Sequence, residues 1–326
     1  MRSVFFAFAL VVATASCLAK DPVTTTPGTG GSSSSGGAPG TGGKTTSSGG
    51  VVGTGGAVGT GGATGTGGSS QPPPSVDCTD TSTFSGLINQ QYGGTLISVD
   101  KSSKNYYMLA NWWGMSPYNN ASETINGLSF TMTNPNNMSK PPTDGSPLGF
   151  PSMFIGSYQG KATAGSGLPK QVSALTSVPT VFSTNADQKG TSNYNATYDV
   201  WLTQSNAPVN GSDPGPGGNF LMVWLFKPSN RQPRGSISVG AHSVTGVSGS
   251  WDVWYDPTQS PRPCVSYVSN TPLSSLSFDL NYFIQDAVNN SFGITSGQYL
   301  SIIFAGFEVW GGGDGLQVKK FCANVK

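Results

Sequence analysis

The stretch Phe220-Leu221-Met222-Val223-Trp224-Leu225-Phe226 decides the fold. At period two it places Phe220, Met222, Trp224 and Phe226 on one face, and Leu221, Val223 and Leu225 on the other. Both faces are apolar. A strand of this kind is central in its sheet, covered by core on one side and by ligand or aromatic loops on the other. Further short β-branched and aromatic runs occur at 152–158, 198–203, 251–255, 265–268, 299–305 and 316–325, separated by Gly/Pro/Asn turns. So many strands at this spacing favour a sandwich or jelly roll over an α/β fold.

One segment breaks the pattern. Within 277–290, Leu280, Phe283, Ile284, Ala287 and Val288 fall on a single helical stripe. Asp279 stands near its start, where an acidic side chain suits the exposed amides, and Gly293 follows its end.

The rest of the 326 residues divides by composition. Residues 1–19 carry Arg2, an apolar run from Val4 to Ala13 and then small residues, the layout of a secretory signal too short to span a bilayer. Ala13-Thr14-Ala15 offers a cleavage site, while Thr14-Ala15-Ser16-Cys17 is similar to a lipobox with Thr14 in the usual aliphatic position. Free secretion and a membrane tether through lipidated Cys17 both stay open. Residues 20–76 are nearly all Gly, Ser, Thr and Pro, with repeated Thr-Gly-Gly units that hold nothing to bury, so they read as a disordered linker. The domain then runs over 77–326.

Only 10% of the chain is charged and the net charge is +1, without Lys/Arg clusters. That argues against nucleic acid or an anionic membrane surface as partner. Seven Trp and eleven Tyr among abundant Asn, Ser and Thr suit a neutral polar ligand such as carbohydrate. With Cys17 removed or lipidated, Cys78, Cys264 and Cys322 remain; a Cys78–Cys322 bridge would pin the domain's two ends, but pairings with Cys264 stay open. There is no CxxC spacing, and His242, which reads as a turn or surface residue, is the one histidine; no metal or organic cofactor is expected.

From about Tyr106 onward the chain resembles glycoside hydrolase family 12. Ala110-Asn111-Trp112-Trp113-Gly114 is similar to the family's Asn-Asn-x-Trp-Gly segment without the first Asn. Ser177-Val178-Pro179-Thr180 and Tyr198-Asp199-Val200-Trp201-Leu202 look like its central strands. Phe220–Leu225 is similar to its nucleophile strand and Ala305-Gly306-Phe307-Glu308-Val309-Trp310 to its acid/base strand. The resemblance implies an all-β, two-sheet, concanavalin-like jelly roll with one packed helix, a concave substrate cleft, and a monomer that binds β-1,4-glucans of the cellulose or xyloglucan type.

One position departs from the family. Met222 and Trp224 are in register with the nucleophile strand, yet Phe220 occupies the place of its glutamate. The domain has only two glutamates, Glu123 in a polar stretch that reads as a loop and Glu308 at the family's general-acid position. Phenylalanine cannot attack an anomeric carbon, so the usual retaining mechanism, with carboxyls about 5–5.5 Å apart, is in doubt. Phe307 and Val309 should point into the core, leaving the Glu308 carboxyl beside Trp310 with a raised pKa. By resemblance, Asp199 is the family aspartate beside the catalytic pair. It would serve as base for a water in an inverting reaction, or else be a buried carboxylate satisfied by neighbouring hydroxyls. Asp252 reads as a solvated strand position.

Asn111, Trp113, Trp201, Phe220, Met222, Trp224 and Trp310 are the expected substrate-binding residues; for the tryptophans the alternative is core packing. Two functions follow from this set: an exported hydrolase working through Glu308, or a glucan-binding protein that grips without cutting.

Overall fold

The computed structural model describes residue 78 and residues 82–99, 103–134, 138–139, 145–186, 193–258 and 262–326. The expectations for 1–19, for Cys17 and for 20–76 lie outside these residues.

In chain order the first strands are β1 (Ser85–Ile88), β2 (Gly94–Ser98), β3 (Asn105–Leu109), β4 (Ser122–Asn126), β5 (Ser129–Thr133) and β6 (Ser152–Tyr158). There follow β7 (Lys161–Ala162), β8 (Lys170–Gln171), β9 (Pro179–Thr184), β10 (Thr197–Thr203), β11 (Asn219–Trp224) and β12 (Ser236–His242). The last are β13 (Trp251–Asp256), β14 (Cys264–Ser269), β15 (Ser275–Asp279), helix α1 (Asn281–Asn289), β16 (Tyr299–Gly306) and β17 (Gln317–Ala323).

The strands form two sheets. The smaller runs β1-β4-β5-β17-β9-β15; the larger, of eleven strands, runs β12-β13-β14-β11-β10-β16-β6-β3-β2, with β7 and β8 beside β6 and β16. β11 is central, antiparallel to β10 and parallel to β14, and all six of its residues are buried. Its two faces belong to different clusters, as alternation requires. Leu221 and Val223 join the core between the sheets together with Tyr198, Val200, Phe182 and Phe321. Phe220, Met222 and Trp224 face outward from the larger sheet with Trp201, Phe304, Tyr158 and Trp310.

Helix α1 begins later than its periodicity suggests. Residues 275–279 are paired to β9 over five positions, so sheet hydrogen bonding prevails over helical patterning there. Asp279 Oδ1 accepts the amide of Asn281 at 2.9 Å and that of Val178 at 2.6 Å, tying the helix start to the strand before β9's pairing begins. Phe283 packs edge-on against Trp251 and Tyr267, both with ring centroids 4.9 Å away.

Glu123 is a second difference. The polar stretch around it is strand β4, paired with both β1 and β5. Its alternation places Glu123 and Ile125 inward and Thr124 outward, which the polar composition of the segment hides. His242 is likewise no turn residue: it ends β12 and its Nε2 stands 2.9 Å from Asp286 Oδ1, while Tyr267 donates to the other oxygen, Asp286 Oδ2, at 2.8 Å. Asp252 is half-buried in β13, and its Oδ1 accepts the amide of Ala241 at 3.0 Å. Cys78 and Cys322 are bridged, with Cα atoms 6.2 Å apart.

Candidate active site

The outer face of the larger sheet is where the expected residues gather. Asp199 and Trp201 alternate with the inward Tyr198 and Val200 on β10. Across the strand, Asp199 stands opposite Met222 and Trp201 opposite Phe220. On its other side β10 pairs with β16, so that Asp199 faces Phe304. Beyond β16 the chain keeps its alternation. Phe307 and Val309 enter the inter-sheet core, as expected, while Trp310 joins the outer cluster and Glu308 projects on the same side.

The aromatic rings pack into one continuous cluster in which Trp201, Phe220, Met222, Trp224 and Trp310 are all buried. Trp201 meets Phe220 edge-on at 5.4 Å and Tyr158 at 5.5 Å. Trp224 lies 6.4 Å from Trp310, and the Arg231 guanidinium stands 5.4 Å from the Trp310 ring. Trp113 is partly exposed and packs against this cluster. Asn111 sits at its rim in a left-handed conformation (φ 56°), which Asn tolerates better than most residues, and its carbonyl accepts the amide of Phe150 at 3.0 Å. All seven expected substrate-binding residues therefore occupy or border one face. Phe220 points outward, not into the core.

Polar groups on this face are left without partners. Asp199 Oδ1, Glu308 Oε1, Tyr158 Oη, Ser152 Oγ and the indole N–H groups of Trp201, Trp224 and Trp254 are buried in the full chain and make no hydrogen bond. Buried polar atoms are ordinarily bonded, and a row of exceptions on one face matches a ligand rich in hydroxyls. Asp199 Oδ1 has no hydroxyl partner.

Glu308 is held by one residue that the sequence reading missed. Asn195 donates from Nδ2 to Glu308 Oε2 at 2.6 Å and accepts the Glu308 amide at 3.0 Å, while its own amide donates to the Glu308 carbonyl at 3.0 Å. Nothing in the local pattern of Asn193-Tyr194-Asn195-Ala196 singles it out, because its partner is 113 residues away. Tyr158 was visible only as the end of a buried strand. Burial pushes the Glu308 carboxyl up to about 8, with the Asn195 bond opposing and the Asp199 charge adding. Burial likewise pushes Asp199 up to about 7. The Trp201 indole beside Asp199 opposes that rise, although its N–H makes no hydrogen bond of ordinary geometry. Both carboxyls are therefore held toward their protonated forms by burial.

Comparison with known proteins gives the family. The model of a family described as Glycosyl hydrolase family 12 matches residues 104–326. The chain is 32% identical over 163 residues to a probable cellulase of Mycobacterium tuberculosis, covering 49% of this chain and 99% of that protein. To endoglucanase S of Pectobacterium parmentieri it is 26% identical over 226 residues, covering 68% and 82%. A solved endo-1,4-β-glucanase superposes with a TM-score of 0.63 at 27% identity, covering 74% of this chain and 99% of that one.

Proposed function

The chain belongs to glycosyl hydrolase family 12, and from that we propose that it is an exported hydrolase of β-1,4-glucans in which Glu308 is the general acid and Asp199 the general base of an inverting reaction. The observation that carries this reading is the pair of carboxyls on one aromatic face, each with an unpartnered oxygen. Glu308 gives its proton to the glycosidic oxygen as the bond to the anomeric carbon breaks. A water attacks that carbon from the opposite face, and Asp199 takes the water's proton. Residues 1–19 support export, through free secretion or a lipid on Cys17.

A second reading rests on Phe220. A benzyl group at the centre of the face, edge-on to Trp201, suits a protein that holds a glucan chain without cleaving it. Reducing ends released from β-glucan, xyloglucan or carboxymethylcellulose separate the two. The hydrolase reading expects release, a loss of about 10²–10⁴-fold in both Glu308→Gln and Asp199→Asn, and an inverted anomer as first product by NMR. The pH profile should be bell-shaped with limbs near 7 and 8. Activity that appears only in Phe220→Glu would replace this reading with the binding one.

A further inference from the structure

One buried carboxyl takes no part in that chemistry. Glu123 is fully buried between the sheets, on the inward face of β4 beside Ile125 and across from Met132. Its Oε1 accepts the indole N–H of Trp112 at 2.7 Å, and its Oε2 has no partner. Burial pushes it up to about 8. An apolar residue would fill this place at lower energy, since a buried carboxyl with half its capacity unmet is costly. Its single partner points to what it does.

Trp112 and Trp113 are consecutive and face opposite ways. Trp112 is buried in the inter-sheet core, while Trp113 packs on the outer aromatic cluster. The backbone between them is fixed from several sides. The Trp112 amide donates to Gln91 O at 2.9 Å, and the Trp112 carbonyl accepts from Gln91 Nε2 at 2.9 Å. Gly149 comes so close that an added Cβ would stand 2.8 Å from the Trp112 Cα. Asn111 is in a left-handed conformation on one side, the Trp112 ring is fully buried against Gly149, and the Glu123 bond fixes the polar end of that ring.

We infer that Glu123 is a positioning residue for the sugar-binding face: by fixing the Trp112 indole it sets the angle at which Trp113 meets a glucan ring. The inference rests on the glucan-binding role of the outer face given above. A merely structural Glu123 would affect stability alone, whereas a positioning one acts through Trp113.

Calorimetric titration of the full chain with cellohexaose, every variant being made in a Glu308→Gln background so that the probe is not cleaved, tests this. Glu123→Leu, which keeps bulk and removes the acceptor, should weaken binding about tenfold, and Glu123→Gln, which keeps an acceptor oxygen, should restore most of it. Trp113→Ala should weaken binding at least as much, and adding Glu123→Leu to it should cause no further loss, because both act through one ring. Trp112→Phe, which removes only the donor, should reproduce the Leu variant and carries the test if that variant fails to fold. Unchanged affinity in Glu123→Leu and Trp112→Phe, or losses that add to that of Trp113→Ala, would overturn the inference alone. A wild-type chain that does not bind cellohexaose would overturn the glucan reading and this inference with it.

Discussion

The two faces of the larger sheet are equally apolar and differ in how their polar atoms are treated. Toward the smaller sheet, Tyr198 shares a hydrogen bond with Thr180 at 3.1 Å, Thr180 also donates to the Cys322 carbonyl at 3.0 Å, and the rings of Tyr198 and Phe182 meet edge-on at 5.3 Å. Toward the outside, three indole N–H groups, two carboxyl oxygens and two hydroxyls stand without partners. Packing alone would favour satisfying both faces equally. Trp251 and Glu123 are the inward exceptions, and the second has a task of its own. A face optimised for the fold leaves little unmet; a face kept for a ligand leaves much unmet.

Substitutions on either side of β11 give the largest test of that contrast. Leu221→Ala should cost about 2–5 kcal/mol in chemical denaturation while leaving glucan affinity intact. Trp224→Ala, on the other face of the same strand, should weaken glucan binding by tenfold or more and, because Trp224 is fully buried, should also cost about 3–5 kcal/mol. If the two variants behave alike in both assays, the faces do not differ in the way described.

The pH dependence of stability is expected to be smaller and graded. Glu123, Asp199 and Glu308 all have folded-state values raised above their ordinary ones, to about 8, 7 and 8. Between the unfolded and folded values the native chain binds more protons than the unfolded one, so stability is fully present at about pH 4 and falls as pH rises toward 8. The slope is at most about 1.4 kcal/mol per pH unit for each group. Melting temperatures taken from pH 5 to 8 should decline, and Glu308→Gln should flatten the decline. A melting temperature that rises over this interval would contradict the burial of these carboxyls.

The smallest effect belongs to the far edge. His242 reaches Asp286 of α1 from edge strand β12 at 2.9 Å, and both are half-buried. His242→Ala should cost about 1 kcal/mol in denaturant titration without changing glucan affinity.

Much of this arrangement was legible in the residues. The strand containing Phe220 announced its central place through two apolar faces, and 152–158 matches β6 over its whole length. The helix was found but entered too early, since periodicity cannot show that 275–279 pairs with β9. β4 was missed because its inward positions include Glu123, a residue whose burial depends on Trp112 being placed opposite it by the fold. For the site, resemblance brought Glu308, Asp199 and the four tryptophans to one face. Asn195 and Tyr158 were not found, as their roles come from partners distant along the chain: Glu308 for the one, Trp201 and Phe304 for the other.

The Cys78–Cys322 bridge has a mechanical consequence. It joins the first described residue to β17, a strand held on both sides by β5 and β9, and it closes a covalent ring spanning 244 residues. Tension applied at Cys78 is therefore delivered to interior strand β17 and not to β1, which lies at the sheet's border. Reduction would reroute the load to that border, so the thiol state of two atoms decides whether a pulled domain resists or unzips.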